Sequence, residues 1–388
     1  MYPMNSVVLI TELVAPYRIP VLNELARLLE GRLHVVFMSD TDTTMRQWQV
    51  YKEEISFSYE ILPFWRRRMG RFHVLLNWGM WRCLRRNSPQ AIICGGYNYL
   101  ATWTALLWAR AHGRRFVLWT ESTAREQRGS HYLPELAKHC FIRGCDGFAA
   151  AGKSQVDYLV QLGAPPSAVI TAPDAVDTDL FAKRAAEAKA DATQRRQQIG
   201  VPDKYFLFAG RLIELKGVFD LLAAYSQLDE GLRREFGLVF VGHGVAREQL
   251  IARAASLRPG DVRVIDFRNR DELAAYYALA TAFVFPTHSD PWGLVINEAM
   301  ACGLPVVVSD AAGCAAELVR DGWNGFVVRV GDMEGIARVM TRIVVEDLGE
   351  TMGRRSIERI QYYSPTACAA GLAAAAEGGV GAKQWTST

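Results

Sequence analysis

The chain has 388 residues, half of them apolar, with seven cysteines and a formal net charge of +3 at pH 7. This length can bury two cores of ordinary domain size, so we expect two domains. An odd cysteine count without a Cys-x-x-Cys pair indicates reduced thiols, and neither a disulfide framework nor a zinc site is expected. Through Asp177 there are 20 Lys/Arg against 15 Asp/Glu, so the basic excess belongs to the first half. A net charge this small favours no nucleic-acid partner.

The N-terminus passes almost directly into an apolar run, Val7–Ile10, without a basic segment and a long apolar segment. No uninterrupted apolar run reaches the roughly 18 residues of a membrane span. We therefore expect a cytoplasmic protein.

In the first half, short apolar runs alternate with segments of helical periodicity, which predicts a parallel sheet covered by helices on both faces. The predicted strands are Val7–Thr11, Leu33–Met38, Ala91–Cys94, Phe116–Thr120, Gly147–Ala150 and Ala168–Thr171. The turn after the first strand reads Thr11-Glu-Leu-Val-Ala-Pro-Tyr-Arg-Ile-Pro20 and has no Gly-x-Gly-x-x-Gly pattern. A nicotinamide-type dinucleotide site is therefore not expected there.

The segment Phe64–Arg86 has seven arginines and no acid, interleaved with aromatic residues. Arginines beside tryptophans suit contact with an anionic membrane surface, which we assign to Arg66, Arg67, Arg68 and Arg71 on a predicted loop. The alternative is a helix that packs Leu75, Leu76 and Trp78 onto the first sheet and leaves its arginines solvated.

Residues 182–196 are rich in Ala, Lys, Arg, Glu and Gln and predict a solvated helix that adds little core. We place the hinge here. The predicted N-terminal domain covers 1–177 and is completed by a C-terminal helix at about 362–377. A linker follows over 178–200, and the C-terminal domain covers 201–361.

The second half repeats the alternation and predicts a second Rossmann-like domain. Its predicted strands are Tyr205–Ala209, Gly237–Val241, Val262–Asp266, Ala282–Pro286, Pro305–Ser309 and Phe326–Val328. The first of these leads into Gly210-Arg-Leu-Ile-Glu-Leu-Lys-Gly217, just before an amphipathic helix. Arg211 and Lys216 oppose the helix dipole unless an anion such as a diphosphate binds there. The alternative is an exposed turn with two solvated charges.

The stretch Phe283–Ser309 predicts a strand, a helix and a strand, with Asp290 in the turn and Glu298 about two turns into the helix. Both carboxylates are expected at the rim where parallel strands end, which is where open sheets bind ligands. The alternatives are that Asp290, followed by Pro291, is an ordinary N-cap, and that Glu298 is a solvated helix residue.

These motifs resemble those of retaining glycosyltransferase family 4, whose members have the two-domain GT-B fold. Glu298-Ala-Met-Ala-Cys-Gly-Leu-Pro-Val-Val and Gly210–Gly217 match the family's patterns, whereas Asp290 stands where the family usually has Glu. Val241-Gly-His-Gly244 resembles the usual Val-Gly-x-Gly turn, in which we expect the glycines to serve the turn and His243 to be structural. Ala172–Phe181 resembles the passage into the second domain.

The resemblance implies an α/β protein of two Rossmann-like domains that face a central cleft. It assigns Arg211 and Lys216 to the leaving diphosphate, Glu298 to the ribose hydroxyls and Asp290 to the donor sugar. Other donor contacts are expected from a further set of residues: Gly210, Arg268, Trp292, Gly293 and Leu294. On the acceptor side it suggests a further three: Tyr17 and Arg18, for which a plain helix start is the alternative, and Glu121, near the place where many relatives have His.

By the same resemblance, the expected function is that of a retaining, hexosyltransferase-type glycosyltransferase that uses a UDP or GDP sugar. Retention in this family is attributed to front-face displacement, in which the leaving phosphate helps to deprotonate the acceptor. No enzymic nucleophile, metal or cofactor is therefore expected. The acceptor would be a saccharide or lipid-linked saccharide, in cell-surface polysaccharide or glycolipid synthesis on the inner face of the membrane. A GT-B glycoside phosphorylase and a non-catalytic nucleotide-sugar-binding protein remain the alternatives.

Overall fold

The computed structural model describes residues 6–40, 50–69, 72–124, 135–258 and 261–379. The chain divides into two compact units. The first contains Met1–Ala175 and Ser364–Thr388, and the second contains Val176–Tyr363.

The first unit is built on a seven-stranded parallel sheet with the order β3-β2-β1-β6-β7-β8-β9. Its strands, with those of a separate hairpin, are β1 Val7–Thr11, β2 Leu33–Phe37, β3 Ser58–Ile61, β4 Phe64–Met69, β5 Phe72–Asn77, β6 Ala91–Gly95, β7 Arg115–Thr120, β8 Gly147–Ala150 and β9 Val169–Thr171. Successive residues of β1 enter opposite cores, since Val8 and Ile10 pack on one face and Val7 and Leu9 on the other. The predicted sheet with two covered faces is therefore observed.

The helices of the first unit are α1 Ile19–Leu28, α2 Met80–Asn87, α3 Leu100–Ala111, α4 Glu135–Arg143, α5 Lys153–Gln161 and α16 Pro365–Glu377. The last of these returns from the far end of the chain and packs on α1 and the neighbouring strands. Gly371 permits this approach, because a Cβ there would lie 2.3 Å from the Thr171 carbonyl oxygen. Cys368 and Leu372 are fully buried by the contact, so α16 supplies part of the first core.

The arginine-rich segment differs from its prediction. It forms an antiparallel hairpin of β4 and β5, followed by α2, instead of a loop and a helix. Leu75 is buried as the packing alternative required, but Leu76 and Trp78 are exposed. Period-two alternation was hidden in the sequence because apolar residues and arginines occur on both faces of the hairpin.

The second unit has a six-stranded parallel sheet with the order β12-β11-β10-β13-β14-β15. Its strands are β10 Tyr205–Ala209, β11 Gly237–Val241, β12 Val262–Ile265, β13 Ala282–Phe285, β14 Val306–Ser309 and β15 Gly325–Val328. Its helices are α6 Thr178–Ala190, α7 Ala192–Ile199, α8 Val218–Ser226, α9 Glu230–Glu235, α10 Arg247–Ala254, α11 Arg270–Leu279, α12 Leu294–Ala301, α13 Ala315–Leu318, α14 Met333–Val345 and α15 Gly349–Ile360.

Residues 178–200, expected as a linker, are instead folded as α6 and α7 within the second unit. Asp177 caps α6 by accepting a hydrogen bond from the Leu180 amide at 3.0 Å. Phe181 and Ala185 are buried, and α6 packs along α11. The small alanines that looked too poor for a core are what let these two helices approach closely. Among the described residues, no helix combines the length and the apolar character needed to cross a bilayer.

Candidate functional site

The sheet of the second unit has a topological switch point between β10 and β13. The chain runs from β10 outward through β11 and β12, and then returns to the opposite side of β10 as β13. In open parallel sheets, ligands bind outside the carboxyl ends of the strands at such a point. The two sequence motifs, 210–217 and 286–293, are the loops that leave these two strands.

A buried ion pair joins the two loops. Lys216 ends the short 3-10 helix Glu214–Lys216, and only 6% of it is exposed. Its Nζ donates to the Asp290 carboxylate at 2.6 Å and to the Ser289 carbonyl oxygen at 2.9 Å. Arg211, in contrast, is exposed. The predicted pair of cations is thus one exposed guanidinium and one buried ammonium that shares its charge with Asp290.

Gly217 is required for this loop contact. It has φ 72°, and a Cβ at this position would lie 2.0 Å from the Pro286 carbonyl oxygen. Glycine therefore satisfies both a left-handed backbone and a close approach between loops. Gly242 has a similar role beside the 210–217 loop, since a Cβ there would lie 1.9 Å from the Gly210 carbonyl oxygen. His243 lies between Gly242 and Gly244 in the sequence, and its side chain is exposed.

Asp290 is not the N-cap of the following helix. Helix α12 begins at Leu294 with Gly293 as its N-cap, at φ 101°. Asp290 instead accepts a hydrogen bond from the Trp292 amide at 3.2 Å and pairs with Lys216. Within the described part of the chain, the amides of Gly293 and Leu294 have no hydrogen-bond acceptor. These two N–H groups are therefore available to an anionic or hydroxylated ligand.

Glu298 lies one turn into α12, closer to its start than the two turns expected. The Tyr277 hydroxyl donates to its carboxylate at 2.8 Å. Burial raises the pKa of Glu298 to about 7, although the hydrogen bond from Tyr277 acts to lower it. A largely buried carboxyl with one protein donor is not a solvated helix residue, and it can accept further hydrogen bonds from a ligand.

Two expected donor contacts have other partners. Trp292 is 2% exposed, and its indole N–H donates to Asn297 at 2.9 Å, so its side chain offers no donor to a sugar. Arg268 follows the edge strand β12, two strands away from β10. Among the described residues, its guanidinium donates to the Phe267 carbonyl oxygen. The Trp292 side chain and the Arg268 guanidinium therefore make other contacts than the donor contacts expected of them.

Sequence reasoning missed two polar partners near these loops. Tyr277, the donor to Glu298, lies in a helical run of Ala and Tyr that is typical of a buried helix. His288 lies 2.6 Å from Asp220, with its Nε2 facing the carboxylate, and its amide donates to the Leu215 carbonyl oxygen at 2.9 Å. Both pairings join residues distant in sequence, and no local pattern identifies them.

The first unit has its own switch point, between β1 and β6. Arg18 lies here in the short 3-10 helix Pro16–Arg18. It donates to Glu121 at 2.5 Å and to the Thr11 hydroxyl at 2.7 Å, and stacks over the Trp119 ring. Burial acts to lower the pKa of Arg18, but the negative charge of Glu121 raises it overall. Two of the three predicted acceptor-side residues, Arg18 and Glu121, are thus in direct contact.

A second ion pair lies at the same edge of this sheet. Arg66 donates to Glu12 at 3.1 Å and to the Ser39 hydroxyl at 2.9 Å. Its side chain is only 15% exposed, so the prediction that Arg66 faces a membrane is wrong. Arg71 lies outside the described residues. Tyr17 is partly buried beside the Arg18 guanidinium. Among the described residues, no group of three or more His, Cys, Asp or Glu is placed to hold a metal ion.

Two parallel sheets covered by helices, each with polar residues at its switch point, agree with the two Rossmann-like domains of the GT-B fold. A solved structure described as Anabaena Alr3699/HepE in complex with UDP is similar to this chain, with a TM-score of 0.74 and 17% identity. The alignment covers 95% of this chain and 98% of that chain. The predicted fold is confirmed.

Residues 190–359 match the family model described as Glycosyl transferases group 1. A protein of Catenulispora acidiphila named D-inositol 3-phosphate glycosyltransferase 1 is 35% identical over 218 residues, which are 53% of this chain and 50% of that protein. A D-inositol 3-phosphate glycosyltransferase of Thermobifida fusca is 34% identical over 60% of this chain and 57% of its own length. The family match confirms the predicted resemblance to a GT-B type glycosyltransferase over residues 190–359. The chain spans about half the length of these curated relatives.

Proposed function

We propose that this chain is a glycosyltransferase that moves a sugar from a nucleotide diphosphate sugar to a hydroxylated acceptor. The observation that supports this most directly is the Lys216–Asp290 contact at the switch point of the group 1 domain. It brings the two motifs of the domain together at the place where open parallel sheets bind ligands.

We assign the leaving diphosphate to the loop 210–217 and the start of α12. Cleavage of the donor leaves negative charge on the diphosphate, which preorganised cations and N–H groups stabilise. Lys216, Arg211 and the amides of Gly293 and Leu294 would supply these groups. Because Asp290 already shares the Lys216 ammonium, an arriving phosphate would compete with it, and the released carboxylate oxygen could then accept a donor-sugar hydroxyl.

Glu298 would hold the ribose hydroxyls of the donor. Among the described residues, Tyr277 donates to this carboxylate, which leaves oxygen lone pairs for two neighbouring hydroxyl groups. The transfer would proceed with retention of the anomeric configuration, with the leaving phosphate taking the acceptor proton. No side chain is assigned as a nucleophile.

The acceptor would bind the first unit at Arg18 and Glu121. At the switch-point edge of the first sheet, the two arginines described above each have a carboxylate partner: Arg18 pairs with Glu121 and Arg66 pairs with Glu12. Such neutral pairs favour uncharged hydroxyl groups, which both donate to carboxylates and accept from guanidinium groups, over a phosphate. The acceptor would be a neutral saccharide or the saccharide of a lipid-linked carrier, in cell-surface polysaccharide or glycolipid synthesis on the inner face of the membrane.

A thermal-shift titration with UDP and GDP tests the donor assignment. A nucleotide that binds the native state stabilises it by an amount set by its concentration over its dissociation constant. UDP is the first candidate, because the similar Anabaena protein was solved with UDP. We expect one of the two nucleotides to raise the melting temperature of the wild type and to have little effect on Lys216→Met.

Lys204→Met is the matched control, because Lys204 is an exposed lysine of the same unit that pairs with Glu235. It should respond to nucleotide like the wild type. A response that survives in Lys216→Met, or no response to either nucleotide, would contradict the assignment. Nucleotide binding without transfer or hydrolysis of any sugar would favour a binding protein, whereas phosphate-dependent release of sugar phosphate from a glycoside would favour a phosphorylase.

A further inference from the structure

We propose that the outer face of the β4–β5 hairpin, with the exposed side of α2, docks on an anionic membrane surface. This outer face consists of Trp65, Arg67, Leu76 and Trp78, with Trp81, Arg82 and Arg85 beside it in α2. The inference rests on the proposed function in one respect, which is that docking would bring a lipid-linked acceptor to the enzyme. It does not depend on any donor residue.

The charge of this region is one-sided. Residues 61–120 contain ten arginines and neither Asp, Glu nor Lys. Some of these arginines are neutralised from elsewhere in the chain, as Arg86 is by Glu60 and Arg110 by Asp146. Arg67, Arg82 and Arg85 are exposed and have no partner among the described residues. They leave three unneutralised positive charges near the exposed aromatic residues.

Strand register places the first four residues on one face. Trp65 lies opposite Leu76, so these two side chains point to the same side, and Arg67, two residues after Trp65 in β4, points there as well. Trp78 continues this alternation two residues after Leu76. The opposite face is turned inward at two of its residues, since Arg66 contacts Glu12 and Asn77 donates to the Met38 carbonyl oxygen at 2.5 Å.

The outer face is apolar as well as basic. Trp65 is 42% exposed and Trp78 is 56% exposed. Leu76 lies opposite Trp65 on the neighbouring strand and two residues before Trp78. On α2, Trp81 is also exposed, while Met80, Cys83 and Leu84 are buried beneath it. Trp81, Arg82 and Arg85 therefore share the solvent side of the helix.

These two properties together favour a lipid surface. Tryptophan rings suit the boundary between headgroups and acyl chains, and arginines beside them are attracted to anionic headgroups. A second copy of the chain docked symmetrically on the same face would bring its three unpaired arginines against their equivalents. Charge complementarity thus selects an anionic bilayer as the occupant.

Flotation or sedimentation with vesicles tests this surface. The wild type should bind vesicles that contain about 30% phosphatidylglycerol in phosphatidylcholine at low salt, and should be released at high salt because the attraction is screened. Each arginine near such a surface contributes roughly a fivefold factor in affinity. Arg67→Ser/Arg82→Ser/Arg85→Ser should therefore bind at least tenfold more weakly. Trp65→Ser/Trp78→Ser should lose binding to a similar extent.

Two control variants carry the same kinds of change on the second unit. Arg329→Ser/Arg338→Ser/Arg354→Ser removes three exposed arginines, and Val245→Ser/Val345→Ser removes two exposed apolar side chains. Both should bind vesicles like the wild type. Circular dichroism and the nucleotide thermal shift should be unchanged in all four variants, so a loss of vesicle binding is separate from a loss of donor binding.

Equal binding to pure phosphatidylcholine vesicles, binding that ignores salt, or no binding at all would overturn the proposal. Equal losses in the control variants would also overturn it, because they would indicate a non-specific charge effect. A concentration-dependent dimer that Trp65→Ser/Trp78→Ser converts to a monomer would assign the face to a second copy instead. A failed nucleotide response together with intact vesicle binding would leave this proposal standing and remove the proposed function.

Discussion

Glu298 links the protonation state of the site to stability. Its pKa is about 7 in the folded protein, against an ordinary value of 4.5. The folded state therefore holds a proton that the unfolded state has lost between these two pH values. Stability from this carboxyl is fully present below about pH 4.5 and declines as the pH rises to 7.

Glu298→Gln should remove this pH dependence. One pKa unit corresponds to about 1.4 kcal/mol, so the wild type should lose up to about 3 kcal/mol of unfolding free energy relative to the variant between pH 4.5 and 8. Urea unfolding at several pH values measures the difference. Parallel stability profiles for the two proteins would show that Glu298 titrates normally.

Donor binding should act on the same carboxyl. Ribose hydroxyls donate to the ionised form, so nucleotide-sugar binding near pH 7 should release protons, and Glu298→Gln should weaken binding by about 1.5–3 kcal/mol. Calorimetry in two buffers of different ionisation enthalpy counts the protons. Binding of unchanged strength in the variant, with no proton release in the wild type, would place the ribose elsewhere.

Asp290→Glu tests the contact with the donor sugar. The change adds one methylene to a carboxylate held between Lys216 and the Trp292 amide. If this carboxylate contacts the sugar, the variant should alter the relative kcat/KM of two nucleotide sugars more than its affinity for the free nucleotide. Equal effects on all donors would indicate that Asp290 acts only by holding Lys216.

At residue scale, the sequence indicated which residues belong to the candidate site, but not which side chains they contact. Lys216 and Asp290 were both predicted at the donor site, whereas their direct contact was not. The partners Tyr277 for Glu298 and Arg66 for Glu12 could not be predicted either, since each depends on packing between distant segments. Trp292 was expected as a donor contact, whereas its side chain is buried in the core.

At the scale of elements, the contact between the loops 210–217 and 286–293 depends on Gly217. Gly217→Ala would force a Cβ against the Pro286 carbonyl oxygen and separate the loops. We expect it to reduce nucleotide affinity at least tenfold. Gly200→Ala is the control, since Gly200 also has positive φ, 68°, but has nothing within 4 Å of the added carbon.

Isothermal titration with the nucleotide that stabilises the wild type compares the two glycine variants. Both should lose about 1 kcal/mol of stability from the strained backbone, and Gly217→Ala should lose more because its Cβ meets the Pro286 carbonyl oxygen. Only Gly217→Ala should lose affinity. A similar affinity in both variants would mean that the loop contact is not needed for binding.

The twelve predicted strands all coincide with observed ones to within a residue or two. Parallel strands buried on both faces read as continuous apolar runs, which makes them easy to recognise. β3, β4 and β5 were missed because they are short or partly exposed, and their arginines and glutamate mask the apolar alternation. A hairpin also needs its turn chemistry to be recognised, and the sequence between β4 and β5 has no Asn-Gly or Asp-Gly pair.

At the scale of the whole molecule, the division into two units follows the predicted order, but its boundary does not. The hinge was placed in the Ala-rich segment 182–196, which is instead docked on the second unit as α6 and α7. Composition measures how much apolar surface a segment offers, and it does not show that small side chains permit close helix packing. The C-terminal helix predicted at about 362–377 corresponds to α16, which belongs to the first unit.

The central claim is that the Lys216–Asp290 site cleaves a nucleotide sugar for transfer. The most direct measurement is nucleoside diphosphate release from a panel of UDP and GDP sugars with mixed saccharide acceptors, with NMR of the product's anomeric carbon. We predict turnover of at least one donor with retained anomeric configuration, at least about 100-fold slower in Lys216→Met and unchanged in Lys204→Met. Absence of diphosphate release from every donor, or an equal rate in Lys216→Met, would contradict this account.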